Sequence, residues 1–184
     1  MINTFITTPE QRIISLLAMN PGQSFYTRQI SKTLGISLGT THFALQALEG
    51  KNMLTSRLIG KTKLYDLVIS MPVVQAFRIL NIILILEPLF TPLHEISRQI
   101  ILYGSYAQGN IGPQSDLDLL VVTESKKKTL DFIEGIKRKT GLDIRPLIMD
   151  QIEWMKLETS SPEFFDELSH GLLLWERPVD ESRF

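Results

Sequence analysis

The sequence predicts an α+β protein in two modules, a helical one closed by a hairpin and one in which strands and helices mix. Three observations carry this expectation. Helix-start signals and helical periodicity fill the first fifty residues, after which two strand-like runs flank Gly60-Lys61. Farther on, the apolar runs Gln99–Tyr103 and Leu119–Val122 enclose a Gly104-Ser105 turn and the triplet Asp116-Leu117-Asp118. Charge also divides the chain: residues 1–70 carry a net +4 and residues 71–184 a net −5, as two modules with different partners would.

At 184 residues and 43% hydrophobic content the chain can bury a core, and no disordered class is indicated. The absence of cysteine excludes disulfides and thiolate zinc sites, and His42, His94 and His170 are too scattered to form a metal cluster. No signal or transit segment is evident, so a cytoplasmic location is expected. The most apolar stretch, Ile79 to Leu86, contains Asn81 and meets Glu87-Pro88 well short of the ~20 residues a membrane span needs. A buried helix and no membrane partner are therefore expected.

Taken in order, Thr8-Pro9-Glu10-Gln11 joins an N-cap, a first-turn proline and a glutamine at the third helical position, starting a helix from Pro9 to about Met19. Asn20-Pro21-Gly22 ends it. Phe25 leads into a second helix, Thr27 to Leu34, and Gly35 makes the turn to a third that Ser37 caps and that runs to about Glu49. Phe43, Leu45 and Leu48 are its core candidates, with Thr40, Thr41, His42 and Gln46 facing outward. The runs Met53–Leu58 and Lys63–Val68 then form a hairpin with basic residues at its tip. This first domain covers 1–70.

Residues 71–97 form a linker. Met71 to Glu87 reads as a helix that is apolar on almost every side, which requires burial between domains or in a homodimer, and Pro88 and Pro92 close it. A short helix from Pro92 to about Arg98 leads into the second domain, 98–184.

There the Gln99–Tyr103 strand ends at Gly104, which lets the backbone turn sharply, and Ser105 can cap a new helix whose free N–H groups suit a phosphate. Asp116 and Asp118 stand two apart in a strand that ends Leu-Leu-Val-Val, so both carboxylates share a face and can hold a hard cation such as Mg²⁺. The run Leu142–Met149 offers Asp143, between two apolar residues, as third ligand or base. Between these strands a helix from Lys126 to about Thr140 presents Leu130, Ile133 and Ile136 on one face and ends at Gly141. Asp150 caps the next helix, Ser161-Pro162-Glu163 starts the last with Phe164, Phe165 and Leu168 inward, and Gly171–Glu176 is a closing strand.

Two resemblances follow from these motifs. Thr8 to Ile69 resembles the winged helix-turn-helix domain of bacterial and archaeal regulators, which implies double-stranded DNA as partner. In such an interface Thr40, Thr41, His42 and Gln46 reach base edges and Arg57, Lys61 and Lys63 contact phosphates. The pattern Gly104-Ser105-Tyr106-Ala107-Gln108-Gly109, then Ser115-Asp116-Leu117-Asp118-Leu119-Leu120-Val121, resembles the minimal, antitoxin-type nucleotidyltransferases of the DNA polymerase beta-like superfamily. That resemblance implies a mixed sheet with flanking helices, an NTP substrate and Mg²⁺ or Mn²⁺ as cofactor. It gives Gly104 and Ser105 to the nucleotide phosphates, Asp116 and Asp118 to the metal, and Asp143 the place of third carboxylate. Transfer of a nucleoside monophosphate to a hydroxyl, with a toxin protein as a partner, is the implied activity; the competing class is a transcriptional regulator whose transferase-like domain senses nucleotide or binds a partner protein. Tyr106 and Gln108 depart from the arginines that many relatives carry there.

Overall fold

The computed structural model describes residues 5–112 and 114–178. It divides into two units, Met1–Asn81 with Gly109–Pro113, and Ile82–Gln108 with Gln114–Phe184. The architecture is α+β, as the sequence predicts.

In the first unit α1 (Pro9–Ala18) begins at a closed capping box, in which the Gln11 amide donates to the Thr8 hydroxyl and the Thr8 amide to the Gln11 side chain. β1 (Phe25–Tyr26) precedes α2 (Thr27–Leu34), which Gly35 stops in a left-handed conformation, and α3 (Leu38–Gly50) starts at Ser37, whose Oγ accepts from the Thr40 amide. β2 (Leu54–Ile59) and β3 (Thr62–Leu67) pair antiparallel through the two-residue turn Gly60-Lys61, with Gly60 at φ +63°. β1 adds to the other edge of β3, giving the order β1-β3-β2. Two residues carry no readable period, which is why sequence gives no warning of β1.

The core of this unit gathers Ile13 and Leu17 from α1, Ile30 from α2, Leu45 and Leu48 from α3, and Tyr65 from β3. Each such side chain contributes about 1.5–3 kcal/mol by leaving water. Phe43, expected in this core, is instead 72% exposed. The buried stripe of α3 is Thr41, Ala44, Leu45 and Leu48, spaced three, four and seven apart, and Phe43 falls beside it.

α4 (Pro72–Phe90) begins in the first unit and ends in the second. Pro88 was expected to close it, yet the helix passes through Pro88 and a 3₁₀ turn, Thr91–Glu95, follows in place of the predicted short helix. The proline removes one backbone bond, but it does so in the final turn at an exposed position, and the Thr91 hydroxyl donates to the Glu87 carbonyl at 2.8 Å. Pro72–Glu95 is thereby long and apolar enough, by length and composition, to cross a membrane, which the shorter run seen in sequence is not. Within this stretch Arg78 and Asn81 are buried: Arg78 donates to the Ile111 carbonyl, and Asn81 accepts from Ser15 and donates to the Phe77 carbonyl. Polar groups bonded in this way belong to a helix packed in a folded unit.

The second unit is built from β4 (Gln99–Tyr103), α5 (Gly104–Ala107), β5 (Leu117–Val122), α6 (Lys126–Thr140), β6 (Ile144–Met149), α7 (Gln151–Ser160), α8 (Pro162–Ser169) and β7 (Leu172–Glu176). The sheet order is β6-β5-β4-β7, with β5 and β6 parallel and the other pairs antiparallel, so the sheet is mixed. A parallel pair needs a crossover, and α6 supplies it. Thr129, Ile133 and Ile136 are buried on α6, whereas Leu130, expected among them, is 46% exposed because Thr129 holds the inward position one turn before Ile133. On one face of the sheet Ile101, Leu120 and Val122 pack with Leu168 against Trp154, Leu157 and Phe164, which seats α7 and α8 there. Asp150 starts α7 through a capping box with Glu153.

Candidate functional site

The β4–β5 register sets the first part of the site. Tyr103 pairs with Asp118 and Leu102 with Leu119, so Asp118 stands on the sheet face that carries Ile101 and Leu120. Gly104 follows Tyr103 with φ +68°, and a Cβ at Gly104 would lie 2.5 Å from Oδ2 of Asp118. Only glycine meets both requirements at that turn. The backbone of the turn and the Asp118 carboxylate therefore occupy one place.

α5 is a single turn, and Ser105 lies inside it rather than capping it; the residue before the turn is Tyr103, with no side-chain cap bond. The expected Ser105 cap is corrected accordingly, because the sharp turn at Gly104 takes the chain into helical geometry one residue earlier. Asp116 precedes β5 by one residue and Asp118 lies within it. Burial first, and then the neighbouring Asp116, push the Asp118 carboxyl above its ordinary range; Arg145 opposes this and Glu167 adds to it. The Tyr103 hydroxyl is likewise raised, by burial and then by Asp118 and Glu167.

Asp143 is exposed and lies one residue ahead of β6, outside the strand, with its carbonyl accepting from the Leu117 amide at 2.8 Å. Parallel pairing places Arg145, not a carboxylate, beside Asp118, and Nη1 of Arg145 lies 2.6 Å from Oδ2 of Asp116. Among the described residues no group of three Asp, Glu or His side chains is gathered to hold a metal. Two neighbouring hard carboxylates still suit Mg²⁺ or Mn²⁺, since such ions are held by one or two carboxylates together with substrate phosphates. The donor set fits on that basis.

A cleft of about 350 Å³ lies beside the turn, lined by Gly104, Ala107 and Gln108 on one side and by Asp166, Glu167, His170 and Gly171 on the other. Neither Arg145 nor Glu167 was singled out from sequence. Nothing local marks them: Glu167 reads as a solvated residue on an amphipathic helix, and the register that brings Arg145 to Asp118 is a property of strands 27 residues apart in number.

The first unit sorts the DNA-contact expectations. Thr40, His42 and Gln46 are exposed on α3. Thr41 is fully buried and its hydroxyl donates to the Ser37 carbonyl at 2.9 Å, so it cannot reach a base edge. On the hairpin Lys61 is exposed at the turn, while Arg57 donates to Ser24 at 2.8 Å with Asp66 at 3.8 Å. Lys63 is paired with Glu49 at 2.7 Å, which neutralises much of the charge it would offer a phosphate.

Residues 82–169 match the family model described as Nucleotidyltransferase domain, which supports nucleotidyl transfer as the general chemistry of this segment. No curated protein matches the chain. Among solved structures, the adhesin competence repressor AdcR from Streptococcus pyogenes is similar at 18% identity and a TM-score of 0.39, covering 52% of this chain and 71% of that one. A toxin–antitoxin structure with AMP-PNP is similar at 20% identity and a TM-score of 0.35, covering 49% of this chain and 69% of that one.

Proposed function

We propose that the second unit binds a nucleoside triphosphate with Mg²⁺ or Mn²⁺ and transfers the nucleoside monophosphate to a hydroxyl on a protein or nucleic-acid acceptor, pyrophosphate leaving. The observation that supports this reading is the closeness of the Gly104 turn to Asp118, where an added Cβ would lie 2.5 Å from Oδ2. The Ser105 hydroxyl and the backbone of the turn would hold phosphate oxygens, and Asp116 and Asp118 would hold the cation, which supplies charge stabilisation when bound. Asp118, half-buried and with its carboxyl pushed up by burial and by Asp116, would be stabilised by such an ion. Asp143, exposed one residue ahead of β6, would stand near the acceptor.

In the same reading the first unit is a winged helix that binds duplex DNA through Thr40, His42 and Gln46 on α3 and through Lys61 and Arg57 on the hairpin, as a homodimer on two half-sites. A toxin protein is the acceptor or partner that the sequence resemblance favours. Incubation with labelled NTPs, Mg²⁺ and cell lysate tests the transfer. Label should pass from NTP to an acceptor with the native chain and not with the Asp116→Ala/Asp118→Ala variant; equal labelling by both sinks the assignment.

One observation favours a second reading, a regulator that senses nucleotide without transferring it. Arg145 stands beside Asp118 where a base would be useful, and an arginine does not take a proton from a hydroxyl at neutral pH. Nucleotide binding without turnover, accompanied by a change in DNA affinity, would distinguish this reading from the first.

A further inference from the structure

We propose that Arg145 and a divalent cation compete for Asp116, and that the displaced guanidinium turns to the phosphates of the incoming nucleotide; this rests on the nucleotide-binding reading above. The parallel register sets Arg145 on the same sheet face as Asp118, and its Nη1 reaches Oδ2 of Asp116 at 2.6 Å. The Asp116 side chain is 21% exposed and that of Arg145 is 66% exposed, so the acid is fixed and the base is the partner with room to turn.

Charge argues for the same exchange. A triphosphate brings several negative charges to a turn whose Tyr106 and Gln108 are uncharged, beside a cleft lined by Asp166 and Glu167. Two further carboxylates stand at Asp116 and Asp118. A cation on that pair offsets the carboxylates but leaves the outer phosphate oxygens to find their own donors. Arg145 stands across the register from Asp118, and its planar fork suits phosphate oxygens once Asp116 has another partner. A guanidinium and a metal on one carboxylate repel each other, and the bond to Oδ2 draws charge from the oxygens a cation would bind, so each occupancy weakens the other.

The consequence is a pair of effects of opposite sign. Replacing Arg145 by Gln removes the competitor for metal and removes the phosphate donor. With the full chain, Mn²⁺ binding followed by electron paramagnetic resonance should tighten about tenfold in Arg145→Gln, while non-hydrolysable analogues of the four NTPs, titrated calorimetrically in saturating Mg²⁺, should bind about tenfold more weakly. Arg145→Lys keeps a point charge and should fall between the native chain and Arg145→Gln in both measurements. A purely structural arginine would weaken both, so a shift of both affinities in one direction, or no shift in either, overturns the proposal. If the native chain binds neither Mn²⁺ nor any analogue, the nucleotide reading fails and the exchange fails with it. If it binds both and the variants match it, the exchange alone is wrong.

Discussion

Gly104→Ala is the substitution that most directly tests whether the turn and the acidic pair form one site. Two costs meet at this position. The φ of +68° is left-handed, which costs a residue with a Cβ about 1–2 kcal/mol. The added Cβ would also lie 2.5 Å from Oδ2 and 3.3 Å from Cγ of Asp118, so the carboxylate must retreat by at least about 0.5 Å to reach the 3.0 Å limit of real contacts. A control separates these costs: Gly141 has φ +73° and nothing within 4 Å of the position its Cβ would take. Gly141→Ala therefore carries the backbone strain without the collision. Urea unfolding should show a loss of about 1–2 kcal/mol in Gly141→Ala and at least that in Gly104→Ala, where the collision adds to the strain. Calorimetry should show Mg²⁺-nucleotide affinity unchanged in Gly141→Ala and at least about tenfold weaker in Gly104→Ala, and transfer reduced by up to about a hundredfold, the cost a misplacement of about 1 Å can carry. If Gly104→Ala binds nucleotide as well as Gly141→Ala does, Gly104 is only a turn and its nearness to Asp118 has no functional meaning.

Three further outcomes are expected. Thr8→Ala opens the capping box of α1 and should cost about 1 kcal/mol in urea unfolding, with Thr8→Ser close to native. For the DNA reading, Lys61→Gln should reduce the salt dependence of duplex binding by about one counterion without altering sequence preference, whereas Gln46→Ala should alter preference; Thr41→Ser, at a buried position, should do neither, and a binding-site selection with each variant decides it. The Glu49–Lys63 pair sets a pH dependence of stability. Hydrogen bonds from Lys63 and then Ser56 hold the Glu49 carboxyl below its ordinary value of 4.5, so its contribution is present above that value and is lost as pH falls through the lowered one. The pair is largely exposed, so Glu49→Gln should cost less than about 1 kcal/mol near neutral pH and nothing in strong acid, measured by unfolding at both.

What could be read from the sequence follows how local its cause is. Thr27–Leu34, Gln99–Tyr103 and Lys126–Thr140 each end at a glycine, Gly35, Gly104 or Gly141, that marks the boundary locally. Failures come from competition between adjacent helix positions for the inward place. Phe43 and Leu130 each sit one position away from smaller side chains, Ala44 and Thr129, that take the inward place, because helix phase is set by the packed partner rather than by the largest apolar group. Pro88 misleads for a related reason: its penalty depends on whether the lost bond lies in a buried interior turn or an exposed final one, and only the structure tells which.

The candidate site divides along the same line. Gly104, Asp116 and Asp118 are legible because their chemistry is written within two short motifs joined by one antiparallel pairing, and alternation along β5 needs no knowledge of a partner strand. The neighbour on β6 is different. Whether Asp143 or Arg145 stands beside Asp118 depends on where a parallel strand begins after a fifteen-residue crossover helix, and a shift of two residues would exchange a carboxylate for a guanidinium on the same face. That exchange reverses the sign of the local charge. With a carboxylate the site would demand more cation; with Arg145 it carries part of the compensation within the chain, already paired to Asp116. A register that no sequence motif announces therefore decides how much of the acidic pair's charge is compensated within the chain.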